Sequence, residues 1–368
     1  MPSLTVKLQE TTPTSYPILI KKGLLQDPKS WLPAEISLWV IITDTNVAEI
    51  LALNLQKNLL KMGLKTLLLK VNPGERSKSQ RNKSLLEQTM LQHDCDRKTG
   101  ILALGGGVIG DLAGFIAATY MRGIAYIQLP TTLLAMVDSS VGGKTAINTK
   151  EGKNLIGAFW QPKAVIVDSS ALETLPQKQL INGLFEALKM FLTHDSASFT
   201  WFHKNLTNIL ARNLQDLENL VYRALKIKTR VVAQDEKEQH ERAVLNFGHT
   251  IGHALEKITN YRLLHGYAVG FGMLVEAKIA LTLKLLTEQK FALIENALRP
   301  LGITSRKLAK FKAEEVIAAT KFDKKKQSGQ VFYVLLKDIG SVKEINGKYV
   351  HLVDDYTVNQ VLLDLTKD

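Results

Sequence analysis

Three histidines and one upstream glutamate have the residue types and spacing of a metal site. His249 and His253 are four residues apart, so they share one face of a predicted helix, and His265 follows 16 residues after His249. Glu186, on an earlier predicted helix, could add an oxygen ligand. Two imidazole nitrogens and one carboxylate suit a divalent cation and leave a coordination position for a substrate oxygen.

A glycine-rich segment in the first half has the pattern of a phosphate-binding turn. An apolar run ends at Gly105, Gly107 and Gly110, which match G-x-G-x-x-G, and a helical pattern follows. The acidic residue usual at the end of the next strand is missing, because that strand ends in Leu129-Pro130-Thr131-Thr132. The segment therefore favours a variant dinucleotide site. Asp44 or Asn46 could hold a ribose instead, or the pair could simply cap a helix and form a turn.

Basic residues accompany both patterns. Lys144 and Lys153 are each flanked by glycine-rich loops, which favours contacts with a phosphate or a carboxylate. Other charged residues near the histidine motif are, taken singly, more typical of a solvated surface: Lys189, Lys228, Glu238 and Arg242.

Two kinds of element must position these residues. Strand and helix patterns alternate in the first half, which predicts a parallel sheet with helices on both faces. The predicted strands are 4–8, 17–21, 37–43, 64–71, 100–104, 124–129 and 164–168, and the predicted helices are 47–62, 80–93 and 111–121. Beyond residue 175 the pattern becomes helical, at 180–192, 206–234, 249–258, 268–286 and 290–298, with one strand at 331–336. We therefore expect an α/β domain over 1–175 and a mainly helical domain over 176–368.

Composition narrows the class of protein. The chain has 368 residues, 45% of them hydrophobic, and a formal net charge of +12, but the basic residues are spread along it without a nucleic-acid-binding motif. The single cysteine, Cys95, excludes an intrachain disulfide and a thiolate metal cluster. The amino-terminal residues show no secretory pattern, and the longest apolar run, 101–119, is broken by glycines and an aspartate. We expect a cytoplasmic protein that binds neither nucleic acid nor membranes.

These motifs together resemble the 3-dehydroquinate synthase family, of the sugar-phosphate cyclase superfamily. The matching segments, in order and spacing, are GGGVIGDLAGFIAATYMRG, LPTTLLAMVDSSVGGKTAIN, GKNLIGAF and LNFGHTIGHALE with a following HG. The resemblance covers roughly residues 35–340. It implies an amino-terminal α/β domain with Rossmann-like NAD binding, a helical carboxyl-terminal domain, a site in the cleft between them, and a homodimer.

The resemblance also implies roles for individual residues. Zn2+ or Co2+ would be bound by Glu186, His249 and His265. A small anionic sugar-phosphate substrate would be bound by Asp138, Lys144, Lys153, Asn154, Lys189, Lys228, Arg242, Asn246 and His253, with Arg122 reaching in from the neighbouring subunit and Lys324 or Lys325 adding a phosphate contact. The NAD site would be formed by Asp44, Asn46, Glu75, Lys78, Gly106, Gly107, Asp111, Thr131 and Thr132, with Lys144 and Lys153 close to both ligands.

The implied activity is that of a carbon–oxygen lyase. It converts 3-deoxy-D-arabino-heptulosonate 7-phosphate to 3-dehydroquinate and phosphate in the shikimate pathway of aromatic amino acid biosynthesis, by transient oxidation with NAD, phosphate elimination, re-reduction and aldol closure. The alternatives are a sister cyclase with another substrate, a metal-dependent polyol dehydrogenase, or a basic nucleic-acid-binding protein on a retired enzyme scaffold.

Three positions depart from the family pattern. Tyr267 replaces the usual glutamate after His265-Gly266, Met190-Phe191 replaces Tyr-Gly after Lys189, and His240-Glu241 replaces Gly-Leu before Arg242. The first two lie beside predicted metal ligands.

Overall fold

A six-stranded parallel sheet lies at the centre of the amino-terminal half of the computed structural model, which describes residues 15–238, 241–322 and 330–367. The strands are β1 (Ile18–Ile20), β2 (Leu38–Asp44), β3 (Lys65–Val71), β4 (Gly100–Gly105), β5 (Ala125–Pro130), β6 (Lys144–Ile147), β7 (Ile156–Phe159), β8 (Ala164–Val167), β9 (Phe332–Val334), β10 (Leu336–Asp338), β11 (Ser341–Val342) and β12 (Val350–Leu352). The order in the large sheet is β1-β8-β5-β4-β2-β3, and every neighbouring pair in it is parallel.

Helices surround the sheet and form most of the second half. They are α1 (Thr45–Val47), α2 (Leu53–Lys61), α3 (Gln80–Gln92), α4 (Gly107–Thr119), α5 (Gln177–His194), α6 (Ser196–Leu210), α7 (Leu214–Gln234), α8 (His249–Ile258), α9 (His265–Thr282), α10 (Glu288–Leu298), α11 (Ser305–Leu308), α12 (Ala313–Phe322) and α13 (Asp355–Thr366). A π-helical turn, Ala48–Ala52, joins α1 to α2. No helix in the described part of the chain is long and apolar enough to cross a membrane.

Side chains of alternate residues fill two apolar layers, one on each face of the sheet. Trp39 and Ile41 of β2 pack with α2, whereas Val40 and Ile42 pack with α3 and α4. This two-sided burial confirms the predicted parallel sheet with helices on both faces.

The strand order reverses between β2 and β4. The chain passes from β2 to β3 on one side and then returns to place β4 on the other side of β2. In open parallel sheets, the carboxyl ends of the two strands at such a point border a ligand-binding crevice. Asp44 ends β2 here, and Gly106 and Gly107 follow β4.

Close backbone contacts hold the helices of the second half together. A Cβ on Gly266 would lie 1.9 Å from the carbonyl oxygen of Asn182 in α5, and a Cβ on Gly272 would lie 1.8 Å from that of Gly248, the residue before α8. Only glycine permits such approaches, so α9 is packed directly against α5 and against the start of α8. The apolar core of these helices also includes residues from before residue 175, among them Leu133, Val137 and Val165.

Several predicted elements differ in detail. The helix predicted over 206–234 is two helices, because Arg212 has a left-handed backbone (φ 64°) and Asn213 caps α7 by accepting a hydrogen bond from Asp216 N. The helix predicted from residue 111 begins earlier, at Gly107. The strand predicted over 331–336 is split between β9 and β10, which pair with β12 and β11.

Other elements had no predicted counterpart, namely the antiparallel pair β6–β7, the start of α6, the strands β11 and β12, and the helices α11, α12 and α13. The strand predicted over 4–8 lies outside the described residues.

Gly272→Ala should lower the free energy of unfolding by about 1–3 kcal/mol or more, because the added methyl group would overlap the backbone of Gly248. Thermal or denaturant unfolding measures the change. Gly152→Ala is the matched control, since its methyl group would meet only the Leu155 side chain, at 3.2 Å. Equal stability of the two variants would contradict this account of the α8–α9 contact.

Candidate active site

Glu186, His249 and His265 converge at one point, each offering one ligand atom within 4.8 Å of the others. Glu186 lies in α5, whereas His249 and His265 are the first residues of α8 and α9. Glu186 Oε1 lies 3.8 Å from His249 Nε2 and 3.5 Å from His265 Nε2. Three helices thus bring together the residues that the sequence singled out as metal ligands.

The surroundings of these atoms fit a divalent cation. Glu186 is fully buried, and its Oε1 accepts no hydrogen bond, while its other oxygen accepts one from Lys189. A buried carboxylate oxygen facing two imidazole nitrogens is the donor set of a zinc-like site with an open position. His249 Nδ1 lies 3.2 Å from the carbonyl oxygen of Phe247, which favours the tautomer with Nε2 free to bind a metal.

Charges around the cluster set its protonation. Burial raises the pKa of Glu186, but Lys189 and the two histidines together bring it well below its usual value. Burial and Lys189 lower the pKa of His249 well below the usual range, so this imidazole is neutral, as a ligand must be. Burial opposes the charge on His265, but its contacts with the carboxylates of Glu186 and Glu256 raise its pKa to about 10. A metal bound at His265 Nε2 would displace that proton.

Charged side chains from several elements interact electrostatically with the cluster of Glu186, His249 and His265. Lys228 of α7 donates a hydrogen bond of 2.5 Å to Asp138, which follows β5. Burial raises the pKa of Asp138, but Lys228 and Lys189 together lower it. Asp138 is therefore ionised between two lysines that can also face an anionic ligand.

Lys144 and Arg242 continue this basic region. Burial, reinforced by Arg242 and Lys228, lowers the pKa of Lys144 to about 8. Lys144 pairs with Glu238, whose other oxygen accepts a hydrogen bond of 3.2 Å from Asn246. The Arg242 guanidinium packs on the backbone of Gly142, where a Cβ would lie 2.5 Å from Nη2. The positive charges of Lys144 and Arg242 suit phosphate or carboxylate groups.

The residues predicted to bind a dinucleotide lie at the carboxyl edge of the sheet. No side chain caps α4, so the backbone N–H groups of its first turn can face an anion. A Cβ on Gly106 would approach Thr132 to 3.1 Å, and one on Gly107 would approach Ser139 Oγ to 2.9 Å. This narrow cradle of backbone fits the phosphates of a dinucleotide. The backbone N–H of Thr131 donates a hydrogen bond to the carbonyl oxygen of Gly105, which joins the carboxyl ends of β5 and β4.

Asp44 caps the helix that follows β2. Its Oδ1 accepts hydrogen bonds from the backbone N–H groups of Asn46 (2.9 Å) and Val47 (3.1 Å). The structure thus shows the capping role that the sequence left open for this pair. Their position beside the crevice between β2 and β4 leaves a ribose contact open as well.

Lys78 joins the two halves of the site. It is 4% exposed and donates hydrogen bonds to Asp111 in α4 and to Asn154 Oδ1 in the β6–β7 loop. Burial raises the pKa of Asp111 to about 6, and Lys78 opposes that rise. Residues predicted for the cofactor and for the substrate are therefore in direct contact.

Arg122 does not join this cluster. It is exposed and precedes β5, whereas Thr131 and Asp138 follow that strand. Six residues of strand span about 20 Å, so Arg122 lies at the opposite edge of the sheet from its own chain's site. His253 is exposed, with its ring centroid 5.3 Å from that of His249. Lys324 and Lys325 lie outside the described residues.

Three polar residues at the site were not among the predicted site residues. Glu256 contacts both His265 and Lys153, Glu238 contacts Lys144 and Asn246, and the side chain of Asn148 accepts a hydrogen bond from Asn154 N and donates one to Glu75. Glu256 is seven residues after His249, so helical periodicity places both on one face, a signal that could have identified it.

The departures from the family pattern near the ligands are apolar packing positions. Met190 and Phe191 are fully buried in the core, and the Phe191 ring packs against Phe202 at 6.2 Å between centroids. The Tyr267 ring packs edge-on against Phe185 at 5.2 Å. His240 lies outside the described residues.

Known protein families and relatives match this chain over most of its length. Family models described as 3-dehydroquinate synthase N-terminal and C-terminal match residues 68–182 and 183–326. The 3-dehydroquinate synthase of Desulforamulus reducens is 41% identical over 331 residues, which cover 89% of this chain and 92% of that protein.

Solved structures of related cyclases share the fold. A 2-deoxy-scyllo-inosose synthase, solved with carbaglucose-6-phosphate, NAD+ and Co2+, is 26% identical, with a TM-score of 0.86 over 94% of this chain and 96% of that one. The 2-epi-5-epi-valiolone synthase of Streptomyces hygroscopicus, solved with NAD+ and Zn2+, is 25% identical, with a TM-score of 0.87 over 98% and 99%. From its sequence and its fold, the chain belongs to the 3-dehydroquinate synthase family.

Proposed function

We propose that the protein is a 3-dehydroquinate synthase, a carbon–oxygen lyase that converts 3-deoxy-D-arabino-heptulosonate 7-phosphate to 3-dehydroquinate and phosphate. The observation that carries the proposal is the convergence of Glu186, His249 and His265 with buried lysines beside a dinucleotide crevice. The choice of substrate is supported by the 41% identity to a 3-dehydroquinate synthase, against 26% and 25% to the two sister cyclases.

The two cofactors have separate places in this proposal. Zn2+ or Co2+ would be held by Glu186, His249 and His265, and NAD by the crevice beside Gly106 and Gly107. When bound, NAD+ supplies reversible hydride transfer, and the metal supplies Lewis-acid polarisation of the substrate oxygens. The overall reaction eliminates phosphate and closes a ring without net oxidation or reduction.

The chain's own residues would bind and orient the substrate. Lys144, Lys153 and Arg242 would pair with its phosphate and carboxylate groups. Lys189 and Lys228 are 2% and 6% exposed, so their charges act where little water screens them. Asp138 and Glu186 neutralise these lysines in the free protein, which keeps both ammonium groups in place for an anionic ligand. Asn154, Asn246 and His253 would add hydrogen bonds.

A homodimer would complete the site. Because Arg122 lies at the far edge of the sheet, it would act on the site of a partner subunit. Met121 and Arg122 are exposed and both have left-handed backbones (φ 49° and 67°), a costly geometry of the kind that is common at functional sites. The division into domains near residue 175 and a cytoplasmic location remain predictions, as does the absence of nucleic-acid binding.

With substrate, NAD+ and Zn2+, the purified protein should release one phosphate per substrate without lasting NADH absorbance, and a chelator should abolish the release. Glu186→Gln should lower the rate towards background, whereas the surface variant Glu173→Gln should match the wild type. Phosphate release and NADH absorbance are measured on the same sample of each protein. No phosphate from folded, metal-loaded protein would contradict the substrate assignment, and accumulating NADH would indicate a polyol dehydrogenase.

The ratio kcat/KM should fall as pH rises through about 8, because Lys144 loses its positive charge there. The fall should approach about tenfold per pH unit if the charged form alone binds substrate. Lys144→Arg should move this descending limb to higher pH, since arginine stays protonated. The exposed Lys163→Arg is the control. An unchanged limb in Lys144→Arg would assign the titration to another group.

Mixing Arg122→Ala with Lys228→Met should restore activity that neither variant has alone. If subunits exchange at random, half of the dimers are mixed and each has one complete site, so about a quarter of wild-type activity should return. Activity assays before and after exchange, with dimer formation checked by light scattering, test this. Lack of rescue in proven mixed dimers would place Arg122 outside the partner's site.

A further inference from the structure

Glu256 occupies a position between the metal cluster and the β6–β7 loop. It lies in α8, seven residues after His249, and is 4% exposed. Its Oε2 lies 3.2 Å from His265 Nδ1, and its Oε1 accepts a hydrogen bond of 3.3 Å from Lys153 Nζ. One buried carboxylate thus contacts a predicted metal ligand and a predicted substrate-binding lysine at once.

The contact with His265 has the geometry that fixes a metal-binding imidazole. Glu256 is on the Nδ1 side of the ring, while Nε2 faces Glu186 Oε1 at 3.5 Å. A carboxylate that accepts a hydrogen bond from one ring nitrogen holds the tautomer in which the other can bind a metal, and it makes that nitrogen more basic. Because His265 begins α9 and is partly exposed, its side chain has room to turn without such a partner.

The contact with Lys153 is reinforced from the same helix. The Lys153 ammonium lies 4.2 Å from the centroid of the Tyr261 ring. Tyr261 follows α8, and its backbone N–H donates a hydrogen bond of 2.7 Å to the carbonyl oxygen of Glu256. Asn260 and Tyr261 both have left-handed backbones (φ 48° and 59°), which turn the ring towards the lysine. Lys153 is therefore held by a carboxylate and an aromatic face that belong to one short segment.

We infer that Glu256 is a positioning residue that orients His265 for metal binding and Lys153 for the substrate anion. The inference rests on the metal role proposed above for Glu186, His249 and His265. Because both contacts share one carboxylate, a change at Glu256 affects the metal and the substrate together.

The test uses the metal alone. Zn2+ binding to the metal-free full-length protein, measured by competition with a fluorescent chelator, should be about 10- to 100-fold weaker in Glu256→Gln than in the wild type. Glu87→Gln is the matched control, because Glu87 also pairs with a lysine, Lys83, but in the amino-terminal half away from this cluster. Circular dichroism and thermal unfolding of the metal-free variants report any general loss of structure.

The outcomes separate this inference from the proposed function. Equal Zn2+ affinity in Glu256→Gln and wild type would overturn the inference while leaving the proposed function intact. Absence of tight Zn2+ binding by the wild type would instead overturn the proposed metal site. A raised KM in Glu256→Gln at saturating Zn2+ would support the orientation of Lys153 by Glu256. An unchanged KM would overturn that part of the inference.

A second measurement keeps the test decisive if Glu256→Gln does not fold. In the unaltered, Zn2+-loaded protein with 15N-labelled histidine, the His265 Nδ1–H proton should be visible by NMR, slow to exchange with water, and the ring should bind Zn2+ through Nε2. Metal binding through Nδ1 would overturn the inference, because Glu256 would then compete with the metal for the same nitrogen.

Discussion

The fully buried carboxylate of Glu186 is the group on which the rest of the site depends. An ionised carboxylate out of contact with water is strongly unfavourable unless charges and hydrogen bonds compensate it. Lys189 supplies one compensation from the same helix, and His249 and His265 face the other oxygen. A divalent cation between the three ligand atoms would complete it, which links the stability of this core to the chemistry proposed for it.

Meeting that requirement constrains the packing of three helices. His249 and His265 can face Glu186 only if α8 and α9 approach α5 closely, and glycines make the approach possible. Gly266 of α9 leaves no room for a Cβ against the backbone of Asn182 in α5, and Gly272 leaves none against Gly248, the residue before α8. The glycines around the histidine motif therefore serve helix packing, and packing places the ligands.

The substituted positions beside the ligands fit the same picture. Met190 and Phe191 extend the apolar core behind Lys189, and Tyr267 packs against Phe185 on the neighbouring turn of α5. The contact between Tyr267 and Phe185 adds aromatic packing between α9 and α5. The contacts of Glu186, Lys189 and the histidines are all present beside them, so the departures change the packing around the proposed ligands and leave that set of side chains complete.

The sequence by itself determined the elements and the chemical types. Continuous apolar runs such as that of β2, in alternation with helical patterns, predicted the parallel sheet. Glycines after β4 indicated a candidate anion-binding turn, and the histidines at i and i+4 indicated a candidate metal-binding helix, because periodicity and turn chemistry act over a few residues. Helical periodicity also failed to predict a local break: the left-handed backbone of Arg212 divides what the pattern predicted as one helix over 206–234.

Only the tertiary structure decided which charges meet. Lys228 pairs with Asp138 across 90 residues, and Lys153 with Glu256 across 103. Sequence spacing carries no information on such pairs, since any of the chain's acidic residues could satisfy a lysine until packing brings one within 4 Å. The contacts of Glu256 and Glu238 follow from how the helices close over the carboxyl edge of the sheet. Arg122 is separated from its own chain's site by the length of β5.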